Sequence, residues 1–155
     1  MIRQATLADI PTLVPLWVEF IDYHAKLEHG LHRSDGAAAA WAEYIGTIIV
    51  DDRWFVFVAE ADGVLVGYVA ATVADYPPIF TVARYGFVQE IAVTAAHRRT
   101  GVARRLYEAA EGWLRGRGVE HIQVKVDVGN TPSRAFWAHA GFGALTETLV
   151  KKFDA

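Results

Sequence analysis

Residues 98–118, RRTGVARRLYEAAEGWLRGRG, decide the fold because they join a basic turn to an amphipathic helix. Apolar side chains recur along this stretch at helical spacing, which predicts a helix packed against a sheet. The apolar stripe comprises Val102, Leu106, Ala109, Ala110, Trp113 and Leu114. Strand-like sequences lie on both sides of the helix, at residues 85–93 and 121–128. A helix that connects two strands in this way makes them parallel, so the sequence predicts a crossover unit.

The first third of the chain predicts one short strand and two helices. Residues 2–5 are strand-like, and Thr6 and Asp9 have the spacing of a capping box that starts the first helix. The second helix is predicted over residues 34–49, where Ser34 can serve as its N-cap and an alanine run follows.

The middle of the chain predicts an antiparallel hairpin. Residues 53–61 and 64–73 are rich in β-branched and aromatic side chains, and the Asp62-Gly63 pair between them is typical of a type I′ turn. With a last helix and a final strand, the predicted order of elements is β-α-α-β-β-β-α-β-α-β. This order indicates an α/β (α+β) layer fold with a mixed sheet.

Composition limits the class of protein. A chain of 155 residues with 53% hydrophobic residues can bury one full core, so we expect a single domain over residues 1–155. The formal charge of −3 argues against nucleic acid as a partner. The absence of cysteine excludes disulfides, thiolate zinc sites and a cysteine nucleophile. No apolar run reaches the length of a membrane span, and we expect a cytoplasmic protein with no membrane partner.

The basic turn is a candidate anion site. At a helix N-terminus the first backbone N–H groups lack intrahelical partners, and the helix dipole is positive there. Gly101 and the small Ala103 let an anion such as a phosphate approach those groups closely. The alternative is that the arginines only solvate the end of the helix. No Walker A or G-x-G-x-x-G pattern is present, which argues against a nucleoside triphosphate enzyme and a dehydrogenase.

Two motifs together resemble a known family. The turn RRTGVA at residues 98–103 follows EIAV at residues 90–93, and NTPSRAFWAHAGF follows at residues 130–142. The first block is similar to the [QR]-x-x-G-x-[GA] motif of the GNAT superfamily, and the last is similar to its N-x-x-[AS]-x-x-[FY]-[YF]-x-x-x-G-F motif. The resemblance implies a GNAT fold: a mixed, mostly antiparallel central sheet with splayed parallel strands and helices on both faces. It also implies transfer of an acetyl group from acetyl-CoA to a primary amine by direct attack in a ternary complex.

The resemblance assigns the cofactor-binding residues. The strand backbone would pair with the pantetheine amides of coenzyme A, and the turn would hold the pyrophosphate. Residues of the last motif would also contact the cofactor arm, although Asn130 can equally be a helix cap. The expected cofactor-binding residues are Ile91, Ala92, Val93, Arg98, Arg99, Thr100, Gly101, Val102, Ala103, Asn130, Ser133 and Phe136.

The chemistry requires a base, because an alkyl amine is protonated near neutral pH and must lose a proton before it attacks. Glu90 is the candidate catalytic residue, acting directly or through water; the alternative is an exposed or ion-paired carboxylate. Trp137 stands where the family often has a tyrosine that is proposed to protonate the leaving thiolate. An indole is not a usable acid. Tyr85 or Tyr107 can take that role, although Tyr107 fits core packing, or the thiolate leaves unassisted.

The sequence says less about the acceptor and the binding partners than about the cofactor. A group of polar residues between the first two helices can face the acceptor or lie in a solvated turn, and its spacing does not predict a metal site. This group comprises His24, Glu28, His29 and His32. We expect a small-molecule or peptide amine as acceptor, and the resemblance leaves a homodimer open. The alternatives to acetyl transfer are a catalytically weak acyl-CoA-binding module and an acyltransferase that uses a longer acyl-CoA.

Overall fold

The computed structural model describes residues 1–154, which divide into two compact units, Met1–Lys125 and the residues from Val126 onward. The second unit contains one helix, α4 (Thr131–His139). The first unit contains eight longer elements: β1 (Ile2–Gln4), α1 (Ile10–Ala25), α2 (Ala37–Ile49), β2 (Trp54–Ala61), β3 (Val64–Asp75), β4 (Arg84–Val93), α3 (Val102–Gly116) and β5 (Ile122–Val124). Two short 3-10 turns, Leu7–Asp9 and Ala95–His97, precede α1 and follow β4.

The five strands form one mixed sheet in the order β1-β2-β3-β4-β5. Every neighbouring pair is antiparallel except β4 and β5, which lie on either side of α3 in sequence and are parallel. The predicted crossover is therefore confirmed. Asp62 and Gly63 both have positive φ angles, 52° and 76°, as the predicted type I′ hairpin requires.

Helices cover both faces of this sheet within the first unit. The core between the sheet and α1 and α2 contains Leu13, Leu16, Trp17, Trp41, Ile45, Ile48, Val56, Val58, Tyr68, Ala70 and Ala92. On the other face α3 packs so closely that a Cβ atom on Gly86 of β4 would lie 2.9 Å from Cδ1 of Leu114. We call these two sides the α1/α2 face and the α3 face. Among the helices described, none has both the length and the apolar character to cross a membrane.

Two predicted boundaries and one predicted strand are wrong. The α2 helix begins at Ala37 with Gly36 as its N-cap, because the carbonyl of Ser34 accepts from the N–H of Ala37 in a turn (3.1 Å). The strand expected over residues 121–128 is limited to β5, since its pairing with β4 ends at Val124. The final strand expected after α4 is absent from the described residues, which adopt no regular structure from residue 143 to residue 154.

The start of α1 is fixed by an ionic cluster. The carboxylate of Asp9 accepts from the backbone N–H of Thr6 at 2.8 Å, as the predicted capping box requires. The same carboxylate accepts two hydrogen bonds from the guanidinium of Arg3, at 2.8 and 2.9 Å. Arg3 also bonds Glu60 of β2 at 2.8 Å, so the cluster joins β1, β2 and the entry to α1. The hydrogen bonds from Arg3 lower the pKa of Asp9 from 3.8 to about 2.

Replacing Asp9 with asparagine is expected to lower the free energy of unfolding by about 1–2 kcal/mol at pH 7, because Arg3, which is 34% exposed and keeps Glu60 as a partner, loses one of its two carboxylate partners. The depressed pKa means that the ionised carboxylate contributes stability above pH 3.8, and that this contribution is lost as the pH falls through about 2. The deficit of the variant in chemical denaturation should therefore be smaller at pH 3 than at pH 7. A deficit of equal size at both values would contradict the assignment.

Candidate active site

One edge of β4 is open beyond the point where β5 stops. Pairing with β5 covers only residues 86–88 of β4, which then continues to Val93. The N–H of Thr94 donates to the carbonyl of Val66 on the β3 side at 2.9 Å. Because hydrogen-bonding direction alternates along an antiparallel strand, the backbone groups of Ala92 and Glu90 also face β3. Of the three predicted pantetheine-binding residues, Ile91 and Val93 therefore present their N–H and C=O groups to the open edge, whereas Ala92 does not.

A β-bulge in β4 sets the orientation of Glu90. Ala70 of β3 pairs with Glu90 and the adjacent Ala71 pairs with Val88, so Gln89 is an extra residue in β4. Side chains normally alternate between faces, and the extra residue reverses that alternation. Val88 consequently lies on the α3 face and Glu90 on the α1/α2 face. The Gln89 side chain accepts a hydrogen bond from the hydroxyl of Tyr44 in α2 at 2.9 Å.

Glu90 lies in an environment suited to proton transfer. The hydroxyl of Tyr68 donates to its Oε1 at 2.9 Å, and the indole of Trp41 donates to the same carboxylate. Burial raises the pKa of Glu90 to about 7, and the two hydrogen bonds oppose part of that rise. Tyr68 is fully buried, and burial followed by the charge of Glu90 raises its pKa well above the usual value. A carboxyl group with a pKa near 7 can accept a proton at neutral pH and later release it.

The basic turn presents a row of unpaired backbone donors. Arg105 is the first residue of α3 whose N–H reaches an earlier carbonyl, that of Gly101 at 3.1 Å. Within the described residues, the N–H groups of residues 99–104 have no hydrogen-bond partner. Arg99 and Gly101 both have positive φ angles, 61° and 84°, and a Cβ atom on Gly101 would meet no other atom within 4 Å. The turn therefore offers several N–H groups and open space in front of them, which is the geometry of an anion site.

The arginines of the turn differ in their environments. Nε of Arg98 donates to the carbonyl of Val93 at 3.2 Å, and its guanidinium lies 3.5 Å from Glu19 and over the ring of Tyr23. Arg104 pairs with Glu108 one turn along α3 at 2.8 Å. Arg99 and Arg105 have no carboxylate within 4 Å in the part of the chain that the structure describes. These last two side chains supply the free positive charge of the turn, while Arg98 is held toward α1.

Both ends of α4 in the second unit are capped. Oδ1 of Asn130 accepts from the N–H of Ser133 at 3.3 Å, so the capping role of Asn130 is present. At the other end Gly141 has a φ of 98°, and the N–H of Phe142 donates to the carbonyl of Trp137 at 2.9 Å, which is a Schellman ending. Gly141 therefore terminates the helix. The predicted cofactor contacts of Asn130, Ser133 and Phe136 stay predictions.

The structure places the candidate tyrosines away from Glu90. Tyr107 is buried in α3 on the opposite face of the sheet, as expected for a packing residue, and Tyr85 lies at the beginning of β4. The tyrosine that contacts Glu90 is Tyr68, which the sequence analysis missed. The contact between Tyr68 and Glu90 follows from the register of β3 and β4. In that register Tyr68 pairs with Ala92, which lies two residues after Glu90.

The polar group at and beyond the C-terminal end of α1 is not arranged as a metal site in the described residues. Nδ1 of His24 lies 2.8 Å from the carbonyl of Phe20 in the preceding helical turn, and His29 lies 3.9 Å from Glu28. Across residues 1–154, no three His, Cys, Asp or Glu side chains are grouped so that they could hold a metal ion. A role for these residues toward an acceptor stays a prediction.

The comparison with protein families agrees with this geometry. Residues 17–142 match the sequence profile of the acetyltransferase (GNAT) family. The chain therefore belongs to the GNAT acetyltransferase family, and the resemblance noted in the sequence is confirmed. No curated protein sequence matches the chain.

Solved structures show the same fold at low sequence identity. A mutant of the BH1408 protein from Bacillus halodurans superposes with a TM-score of 0.89, at 18% identity and 99% coverage of both chains. The aminoglycoside 6'-N-acetyltransferase AAC(6')-Ig from Acinetobacter haemolyticus gives a TM-score of 0.76, at 22% identity and 99% coverage of both chains. The aminoglycoside N-acetyltransferase AAC(6')-Iy, solved in complex with CoA, gives 0.76 at 24% identity, covering 100% of this chain and 95% of the other.

Proposed function

We propose that this protein is an N-acetyltransferase that moves an acetyl group from acetyl-CoA to a primary amine of a small molecule or peptide. The observation that carries the proposal is the row of unpaired N–H groups at residues 99–104, beside the open edge of β4. Membership of the GNAT family supports it, as does the CoA bound to the similarly folded AAC(6')-Iy. A single N-acetyltransferase domain over residues 1–155 and a cytoplasmic location remain part of the proposal.

The residues of the turn and the open edge fit coenzyme A. The N–H groups of residues 99–103 hold the diphosphate, and the free arginines Arg99 and Arg105 add positive charge. The backbone groups of Ile91 and the carbonyl of Val93 pair with the amides of the pantetheine arm, as a strand added to the edge of a sheet would. When bound, acetyl-CoA supplies an acetyl group activated as a thioester.

Glu90 removes a proton from the attacking amine. An alkyl ammonium has a pKa near 10, so it is mostly protonated at neutral pH, whereas Glu90 with a pKa of about 7 can accept its proton directly or through water. The N–H of Val93 points to the open edge and donates to the carbonyl oxygen as negative charge develops on it. The carbon–nitrogen bond forms and the carbon–sulfur bond breaks. The proton that Glu90 takes from the ammonium passes to solvent, and the second proton, which the nitrogen loses as the amide forms, goes to the sulfur directly or through Glu90. Proton return by this route does not require a tyrosine at the position of Trp137.

The release of free CoA thiol from acetyl-CoA in the presence of a panel of primary amines tests the proposal. We expect CoA-thiol release that requires an amine and is fastest with the amine of highest kcat/KM. The Gly101→Glu variant should show no amine-dependent release. Binding of CoA without release for every amine would favour the alternative of an acyl-CoA-binding module, for which Trp137 is the supporting observation. Faster release from a longer acyl-CoA than from acetyl-CoA would favour the other alternative, a longer-chain acyltransferase.

A further inference from the structure

A cluster of rings lies at the beginning of β4 and β5, at the opposite end of α3 from the basic turn. We call Tyr76, Tyr85, His121 and Gln123 the aromatic platform. The ring of Tyr85 is stacked on His121 with an interplanar angle of 4° and a centroid separation of 5.9 Å, and Tyr76 lies 4.5 Å from Tyr85. Nε2 of Gln123 donates to the Tyr76 hydroxyl at 2.7 Å, and that hydroxyl is hydrogen-bonded to Nε2 of His121 at 2.8 Å. These hydrogen bonds fix the rings of Tyr76 and His121, against which the ring of Tyr85 packs.

The aromatic platform and Glu90 lie on the same side of the sheet. A Cβ atom on Gly86 would meet Leu114 of α3 and, at 3.2 Å, Ile122 of β5, so residues 86 and 122 point to the α3 face. Their neighbours Tyr85 and Gln123 therefore point to the α1/α2 face. Glu90 points there as well, because the bulge at Gln89 reverses the alternation.

The distance between the two features suits an extended small molecule. In the β3–β4 register Tyr85 pairs with Ala74 and Glu90 pairs with Ala70. Four residues of strand span about 13 Å. Phe87, which pairs with Thr72, lies between them on the same face. An acceptor whose amine is at Glu90 can therefore reach the aromatic platform with a group at its other end.

The chemistry of the aromatic platform indicates what that group is. It has aromatic faces and amide and imidazole groups, and no carboxylate belongs to it. Of the two acidic residues next to it in sequence, Asp75 is paired with Arg53 at 2.9 Å, which leaves Glu120 as a single carboxylate without an ion pair among the described residues. A polycationic acceptor would need unpaired carboxylates, whereas a flat ring gains from stacking on Tyr and His faces. Tyr85 and Gln123 are only partly buried and His121 is exposed, so their ring and amide surfaces remain accessible.

We propose that the aromatic platform is the acceptor-specificity site and binds an aromatic ring of the amine that is acetylated near Glu90. The proposal rests on the proposed acetyltransferase function. Because hydrogen bonds hold Tyr76 and His121, and ring contacts with both hold Tyr85, little side-chain entropy is lost when a ligand ring stacks on them. Selectivity then favours arylalkylamines over polyamines.

The test compares four amines, 6-phenylhexylamine, 6-cyclohexylhexylamine, n-hexylamine and spermidine, with acetyl-CoA as donor. Wild-type protein should have the highest kcat/KM for the phenyl compound. Tyr85→Leu should raise KM for that compound about fivefold, since a favourable ring pair contributes on the order of 1 kcal/mol. The KM for n-hexylamine, which has no ring, should stay the same. Tyr76→Phe removes only the bridging hydroxyl and should raise the KM for the phenyl compound a few-fold. This variant tests the aromatic platform if Tyr85→Leu fails to fold.

The control is Val64→Ala, an exposed residue at the hairpin end of β3, which should change no KM. Binding of 6-phenylhexylamine to the CoA-bound protein, measured by calorimetry, separates this proposal from the proposed function. Binding that weakens in Tyr85→Leu supports the aromatic platform even if no CoA thiol is released. Equal kcat/KM for ring-bearing and ring-free amines, with no effect of Tyr85→Leu or Tyr76→Phe, overturns the aromatic platform and leaves acetyl transfer in place.

Discussion

The Gly101→Glu variant is expected to lose CoA binding by at least about a hundredfold and to keep its fold. Gly101 faces open space in front of the unpaired N–H groups, so a side chain there fills the volume that a phosphate needs. A glutamate also places a negative charge where the ligand is negative. Calorimetric titration of the variant with CoA, beside a thermal unfolding curve, measures both effects.

The left-handed backbone of Gly101 requires a control. Its φ of 84° strains any other residue by about 1–2 kcal/mol, so the variant will be less stable for a reason unrelated to CoA. Gly63→Glu in the β2–β3 hairpin is the matched change, because Gly63 has a φ of 76° and equally open surroundings. It should lose similar stability and bind CoA normally. Unchanged CoA affinity in Gly101→Glu, or an equal loss of affinity in both variants, would remove the turn from the CoA site.

The Glu90→Gln variant is expected to lower kcat by about 10²- to 10⁴-fold and to leave CoA affinity unchanged. Glutamine keeps the shape of the side chain and can still contact Tyr68 and Trp41, but it cannot accept the proton of the amine. In wild-type protein kcat/KM should rise as the pH rises through about 7, because the ionised form of Glu90 is the base. That inflection should disappear in the variant. Initial rates of CoA-thiol release from pH 5.5 to 9 measure both quantities.

A stability measurement shows whether Glu90 has the expected environment. Burial raises its pKa from 4.5 to about 7, so folding favours the protonated form and the wild-type protein loses stability as the pH rises through 7. Glu90→Gln should therefore have a higher Tm than wild type at pH 8, and the two should converge below pH 4.5. Glu43→Gln, the same change at an exposed position of α2, should alter neither rate nor Tm. A variant that keeps wild-type kcat would exclude Glu90 as the base.

Features that depend on local sequence were predictable. The capping box of Thr6 and Asp9, the Asp62-Gly63 hairpin and the basic turn at Gly101 each follow from a few adjacent residues whose backbone preferences are strong. The position of the turn between a strand and a helix also follows from hydrophobic periodicity alone. These features fix the mixed sheet and one half of the candidate site.

Features that depend on strand pairing were not predictable. The bulge at Gln89 has no residue signature, and without it the alternation of β4 would direct Glu90 to the α3 face. The contact between Tyr68 and Glu90 likewise requires the β3–β4 register, which joins residues 22 positions apart. The alternating valines after Val124 favour a strand, but a strand also needs a partner. At that point Asp127 instead accepts from the N–H of Gly129 at 2.7 Å in a turn.

The hydrogen bond from Arg98 to the carbonyl of Val93 bears on the proposed binding of coenzyme A. A backbone carbonyl has two lone pairs, so in the proposed site a pantetheine amide would share this oxygen with the guanidinium or replace it, and in either case the net gain there would be small. The arm of the ligand would then contribute orientation more than affinity. Attachment strength would reside at the phosphate end, and a truncated thioester such as acetyl-pantetheine would be held only weakly.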